Sequence, residues 1–315
     1  MPELPTLTDE RILSMRGPRN TLDPWRPYAI LLEPERSREG MVEDVATIFL
    51  TNKECPFRCL MCDLWKNTTP GRIPRGAAAA QVRWGLERLG PARHVKLYNS
   101  GNFFDNQAIS AADRAQIAEI VRDHRTVIVE SHPRLVGRTA LEFAERLGGR
   151  LEVAMGLETV DPEVLPRLNK RMSLEHYERA ARFLVQGDIS VRAFILLRAP
   201  FQDERAGVHW AGRSIEWAFS VGVECCVIIP TRPGNGIMEW LAEEDHFSPP
   251  SLDSLEEVLA HGLRLGGGRV FADLWDLERS CAGMPDLHAR VRRLRDMNLT
   301  QRIAPERIEA EGGMR

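Results

Sequence analysis

Cys55, Cys59 and Cys62 lie on one short stretch with the spacing CxxxCxxC, directly after the apolar run 45–50. Three thiolates on one loop can hold three irons of a cubane 4Fe–4S cluster, whereas a protein-only cluster wants a fourth cysteine. The missing ligand leaves one iron open to a substrate or cofactor, as a catalytic centre needs; a closed site suits structure. Zinc would need a fourth ligand, usually from a second CxxC or from histidines, and this sequence has no second CxxC. Disulfides suit small secreted domains, which this 315-residue chain does not resemble.

The spacing is the signature of the radical S-adenosylmethionine (SAM) enzymes, and the chain resembles that superfamily. The resemblance implies that the open iron chelates the amino and carboxylate groups of SAM. It implies that one electron from the cluster splits the sulfonium to give a 5′-deoxyadenosyl radical. A one-electron reductant such as flavodoxin or ferredoxin is then an expected partner.

Elements must hold such a loop, and the rest of the chain supplies them in alternation. Apolar, β-branched runs occur at 44–51, 94–100, 126–132, 150–157, 191–198 and 223–230. Helix-like segments lie between them, at 76–89, 111–123, 138–147, 174–186 and 205–220. Strands alternating with helices argue for βα units and a parallel sheet, and near-continuous apolar strands fit a sheet covered on both faces. The expected fold is α/β, a partial (β/α)6 barrel of radical SAM type with a C-terminal extension. Residues 1–43 read as an N-terminal arm, 44–245 as the barrel and 246–315 as the extension. In the extension, 252–265 reads as a helix, 270–275 as a possible seventh strand and 287–298 as a basic amphipathic helix. The last dozen residues are expected to be disordered. Ser173 suits an N-cap and Gly187 a helix stop.

Barrel enzymes place their chemistry at the C-terminal ends of strands. After the second run come Ser100, Gly101 and Asn102, where radical SAM enzymes carry a glycine-rich turn that binds the SAM amino group; the usual Gly-Gly-Glu form is absent. Glu130 and Glu158 interrupt or end apolar strands, and a buried carboxylate must be paired or hydrogen-bonded. Each suits either a cofactor's hydroxyl or amino groups or a structural ion pair. Lys170 or Arg171 suits the SAM carboxylate, Lys170 being in the basic slot, or reads as a solvated loop charge. His132 reads as a proton donor or a surface histidine. Arg198 and Arg232 read as anion-binding groups or rim charges. Cys225 and Cys226, adjacent in a strand, point to opposite faces and read as small buried hydrophobes. Cys281 reads as a fourth cluster ligand, a radical or proton donor, or a free thiol.

The polar residue after the fourth run and the basic residue a dozen positions later resemble the branch containing the Elongator catalytic subunit, the methylthiotransferases and the oxygen-independent coproporphyrinogen dehydrogenases. Closer still, the segment 96–105, with 129–133, 156–159, 168–170 and 239–241, is similar to the archaeosine-forming radical SAM lyases of tRNA. The likeness runs from about residue 44 to 260; the cysteine loop's end and the C-terminal region differ. Those lyases cleave a lysine-bearing side chain on a 7-deazaguanine base, so tRNA is an expected substrate by resemblance. A small molecule of specialised metabolism, or an iron–sulfur scaffold or sensor, remains as an alternative. The formal net charge of −3 gives no global footprint for nucleic acid, although Arg290, Arg292, Arg293 and Arg295 could form a local patch. The start lacks a basic segment and an apolar core, and no apolar run approaches the ~20 residues that span a bilayer. A cytoplasmic, reducing location is the expectation.

Overall fold

The six apolar runs each form a strand, and these lie side by side in sequence order. The computed structural model describes residues 7–281, 283–284 and 286–304. It begins with α1 (Asp9–Ser14), β1 (Ala29–Arg36) and β2 (Val42–Phe49). The cysteine loop carries a two-residue pair, β3 (Asn52–Lys53) with β4 (Thr68–Thr69). Then follow α2 (Ala77–Leu89), β5 (His94–Tyr98), α3 (Ala111–Ile120), β6 (Thr126–Glu130), α4 (Arg138–Ala144), β7 (Arg150–Glu158), α5 (Leu174–Gln186), β8 (Ser190–Leu197), α6 (Glu204–Ser220) and β9 (Cys225–Pro230). The chain closes with α7 (Ile237–Glu243), α8 (Leu252–Leu265), β10 (Arg269–Ala272), α9 (Leu277–Ser280) and α10 (Leu287–Thr300). The main sheet has eight strands in the order β1-β2-β5-β6-β7-β8-β9-β10, all parallel except β1. It curls into a partial barrel with helices outside, as the alternation predicts. The expected seventh strand is β10. Ser173 caps α5 through the amide of His176. The expected disorder of the last dozen residues falls, apart from Ala304, outside the described residues.

The edge strand β1 departs from the sequence reading, which treats residues 1–43 as an arm without periodic structure. Its alternation is inverted: Glu33 and Glu35 face the barrel interior, while Leu32 points out and is 40% exposed. Pro34 completes the disguise, since proline is tolerated on an edge strand but argues against a central one.

Those two carboxylates have partners. A chain of alternating charges crosses the lower interior: Glu33, Lys96, Glu35, Arg192, Glu152, Arg269 and Glu224, each paired with the next. Arg192 is 2% exposed. Removing one partner from such a set leaves an uncompensated buried charge, which costs several kcal/mol, ~3–5. Cys225 faces this interior, in register with Arg192 and Arg269, while Cys226 packs in the apolar core outside the sheet. The two cysteines do point apart, and burial pushes the Cys225 thiol up to about 12.

Helix α10 closes the side of the barrel between the two edge strands. Its Asn298 and Gln301 side chains pair with the free edge of β10: Ala272 N–H donates to Asn298 Oδ1 at 2.9 Å, and Val270 N–H to Gln301 Oε1 at 2.7 Å. Both amides donate in return to the carbonyls of the same two residues. Arg36 of β1 reaches the carbonyl of Leu299. Side-chain amides thus cover an edge that would otherwise offer unpaired backbone groups.

Candidate active site

The C-terminal ends of the parallel strands meet at one end of the barrel, and the cysteine loop lies there. The loop's own strand pairing is limited to the two-residue strands β3 and β4, so neighbouring loops hold it. Leu60 N–H donates to Leu168 O at 2.9 Å, Asn169 Nδ2 to Arg58 O at 2.8 Å, and Asn235 Nδ2 to Leu60 O at 2.7 Å. Phe57, between the first two cysteines, stacks on the His132 ring with centroids 3.7 Å apart. Beneath the loop a second apolar cluster joins Leu60 to Ile12 of α1, Leu168 and Met238. Glu54, beside Cys55, gathers Arg16 (2.7 Å), Arg19 and Arg58 (3.2 Å). The N-terminal segment is therefore part of the loop's support, a role its sequence does not announce.

The three thiols are half-buried and in no disulfide. Burial pushes Cys55 up to about 11 and Cys59 and Cys62 to about 12, so each would release a proton on binding iron. Among the described residues no three His, Cys, Asp or Glu side chains converge on a single-ion site, which a zinc ion would require. A cubane makes a different demand, because each thiolate takes its own iron. Cys281 packs against the main core, whereas the loop's Leu60 and Met61 pack in the second cluster.

The turn after β5 presses directly on this loop. A Cβ added at Gly101 would sit 3.1 Å from Cys55 Cβ, so glycine lets the two backbones approach. Asn102 donates from Nδ2 to Cys55 Sγ at 3.0 Å and accepts the His132 N–H on Oδ1. Ser100 takes a positive φ of 50° and shares a hydrogen bond with the Tyr28 hydroxyl at 3.2 Å. Glu130 accepts from Asn99 N–H at 3.0 Å; burial, only partly offset by that bond, raises its carboxyl to about 7. The Asn99 side chain is fully buried, and neither polar atom has a partner among the described residues. An orphaned amide at this turn calls for a polar ligand, and in that respect the residues fit SAM beside a cluster.

Glu158 and Lys170 form a buried ion pair at 2.5 Å, each side chain 8% exposed. Burial alone would lower Lys170, but the Glu158 carboxylate outweighs it and holds the ammonium above its ordinary value. The Lys170 charge is felt at both Cys59 and Cys55. Gly156 makes room for the pair: a Cβ there would fall 2.0 Å from Glu158 Oε1 and 2.4 Å from Lys170 Nζ. The either-or reading of Glu158 thus resolves as an ion pair next to the thiols, with Lys170 its partner.

His132 is not a surface histidine. It is 6% exposed, pairs through Nε2 with Lys170 O at 3.0 Å, and accepts Arg134 N–H on Nδ1 at 3.2 Å. Burial first, and the nearby Lys170 charge second, lower it to about 3. A ring held neutral with both nitrogens engaged braces the loop and is a poor proton donor. Arg198 and Arg232 are both committed, to Glu204 and to Asp273 at 3.0 Å respectively.

Inward-facing residues in the upper half of the barrel are part-exposed while their outward neighbours are buried. Phe49, Tyr98, Glu130, Gly156, Phe194 and Val227 show this pattern against Ile48, Leu97, Val129, Leu157, Ile195 and Ile228. The upper interior is therefore open to solvent. Four rings run along its wall, Tyr28 to Phe49 (5.6 Å), Phe49 to Tyr98 (6.0 Å) and Tyr98 to Phe194 (6.1 Å). The sequence reading missed Tyr28, Phe49, Phe57 and Asn99. Phe49 and Asn99 lie in runs already marked as strands, and strand parity alone would have turned Phe49 inward.

The chain is similar to several known proteins. Residues 50–206 match the family model described as the Radical SAM superfamily. An uncharacterised protein of Methanocaldococcus jannaschii is 23% identical over 76% of this chain and 70% of its own length. Archaeosine synthase subunit beta of Thermococcus kodakarensis is 30% identical over 64% of this chain; the match spans 65% of that protein, just under two thirds. Among solved structures, the chain is similar to Elp3 of Methanocaldococcus infernus lacking residues 1–46, at 14% identity over 62% of this chain and 51% of that one, with a TM-score of 0.49. With the cysteine spacing, the barrel and the matched region in hand, the chain belongs to the radical SAM superfamily, whose cofactors are a 4Fe–4S cluster and S-adenosylmethionine.

Proposed function

We propose that the protein abstracts a hydrogen atom from a modified base of the 7-deazaguanine type in tRNA. When bound and reduced, the cluster and SAM supply a 5′-deoxyadenosyl radical, the hard part of the chemistry. The chain's own residues do the rest. Cys55, Cys59 and Cys62 hold three irons. Ser100, Gly101, Asn102, Glu130, Glu158 and Lys170 are the proposed SAM contacts: Glu130 accepts from an amino or hydroxyl group, and Lys170, already paired with Glu158, meets a carboxylate.

The observation that carries the substrate class is the row of four rings along the open upper interior. Enzymes that act on a base read it unstacked from its neighbours and hold it between aromatic or apolar side chains. The name of the Thermococcus relative, archaeosine synthase subunit beta, points the same way. Exposed Arg72, Arg75, Arg134 and Arg167 surround the same end of the barrel, on loops after β2, β6 and β7, where a phosphate backbone would pass. The α10 arginines serve this role less well than their spacing promises, because Arg290 and Arg293 are paired with Glu256 on α8. The chain is an enzyme by family, and an electron donor follows from that chemistry; flavodoxin or ferredoxin is the proposed source. No helix among the described residues is long and apolar enough to cross a membrane.

The test is anaerobic. The reconstituted protein is given dithionite and SAM, and 5′-deoxyadenosine is measured with and without bulk tRNA carrying the base precursor. Stimulation by tRNA is expected. Formation unchanged by tRNA would replace the base with a small molecule, and no formation with a full cluster would favour a scaffold or sensor.

A further inference from the structure

We infer that Asn102 tunes the iron–sulfur cluster, by donating a hydrogen bond from its side chain to the sulfur of one ligand, Cys55. The inference rests on the reading that Cys55, Cys59 and Cys62 ligate a 4Fe–4S cluster. It assigns Asn102 to the cluster's electronics, where its sequence position suggests a contact to SAM.

Three observations carry it. Asn102 is 1% exposed, so its amide is shielded from competing water. Its orientation is fixed by hydrogen-bond logic: Oδ1 accepts the backbone N–H of His132, which leaves Nδ2, a donor, facing Cys55 Sγ at 3.0 Å. His132 itself cannot shift, because Phe57 stacks on its ring and Lys170 O and Arg134 N–H engage its two nitrogens. The amide is thus held by a neighbour clamped on both sides.

The three sulfurs are also unequal. Among the described residues, Cys55 alone receives a side-chain hydrogen bond on its sulfur. Hydrogen bonds to ligand sulfurs help to set the reduction potential of such clusters. A donor withdraws charge from the thiolate and favours the added electron, so Asn102 raises the potential and eases reduction.

Asn102→Ala removes the donor to sulfur without adding a charge; Asn102→Asp keeps an acceptor for His132 N–H but sets a carboxyl beside the sulfur, so it serves as the control for assembly. Each variant and the parent are reconstituted without SAM, assayed for iron and sulfide, and titrated by electron paramagnetic resonance. The expected result is parental iron content in Asn102→Ala with three- to tenfold less reduced cluster at a fixed potential. Tenfold is a downward shift of about 59 mV for one electron. An unchanged midpoint with a full cluster overturns the inference. Loss of iron from both variants also overturns it, because the amide would then serve assembly rather than tuning. Failure of the parent to take up four irons is a different result and would sink the cluster reading itself.

Discussion

Glu130 makes the stability of the metal-free protein depend on pH in a way that one substitution removes. Burial raises its carboxyl from the ordinary 4.5 to about 7. A raised acid stabilises the fold while both states are protonated, below about 4.5. Between that pH and about 7 the unfolded chain ionises and the folded one does not, so the contribution falls as pH rises; above about 7 it is gone. At 1.36 kcal/mol per tenfold change in proton affinity, the whole swing is about 3 kcal/mol. In Glu130→Gln this swing disappears. The assay is urea unfolding of anaerobic, metal-free parent and variant from about pH 5 to about pH 8.5. Taking the difference between the two cancels every other titrating group that behaves alike in both. The parent should lose about 3 kcal/mol relative to the variant as pH rises, most of it before pH 7.5 or so. A difference that stays flat across the range would refute the argument, and would mean that water or a cation reaches the carboxyl.

Lys170→Met should lower unfolding stability by ~3–5 kcal/mol, because Glu158 is left buried without its partner; adding Glu158→Gln should recover most of the loss in the same denaturant titration. Gly156→Ala should weaken SAM binding measured by equilibrium dialysis, since its Cβ would fall 2.0 Å from Glu158 Oε1 and 2.4 Å from Lys170 Nζ and the ends of both side chains must shift; wild-type affinity would mean that the pair lies outside the cofactor space. Reversing Arg72, Arg75 and Arg134 to Glu should weaken tRNA binding and reduce the slope of log K against log salt by roughly 0.7–0.9 for each phosphate that is no longer neutralised. An unchanged slope in filter binding would place the RNA elsewhere.

Much of the scaffold is legible because its signals are local. Val127, Ile128 and Val129 could belong to little else than a buried parallel strand, and the CxxxCxxC spacing is self-contained. The strand β1 was hidden because its inward face is charged, and those charges make sense only with Lys96 and Arg192, which are 61 and 157 residues away. Some residues around the cysteine loop stand out in the sequence, Phe57 and Asn99 do not, and the pairings are not legible at all. Glu158 and Lys170 stand out separately in the sequence; that they neutralise each other is a fact of the fold. His132 shows the same limit. Its burial follows from Phe57 and Lys170, from two other loops, and no local pattern reveals a ring locked neutral. The arginines of α10 err the other way, since a basic run looks like an RNA surface until the acidic face of α8 is set against it.

The seam under α10 bears on how the molecule is made. The bond from Arg36 to Leu299 joins residues 263 positions apart. On a ribosome, β1 and the cysteine loop emerge long before the helix that shuts the barrel wall. Contacts of such large separation form late and slowly. Until they do, the loop that is to receive iron belongs to an open trough that oxygen and chaperones can reach from the side. Cluster delivery could use that interval, and α10 would then act as the door closed behind it.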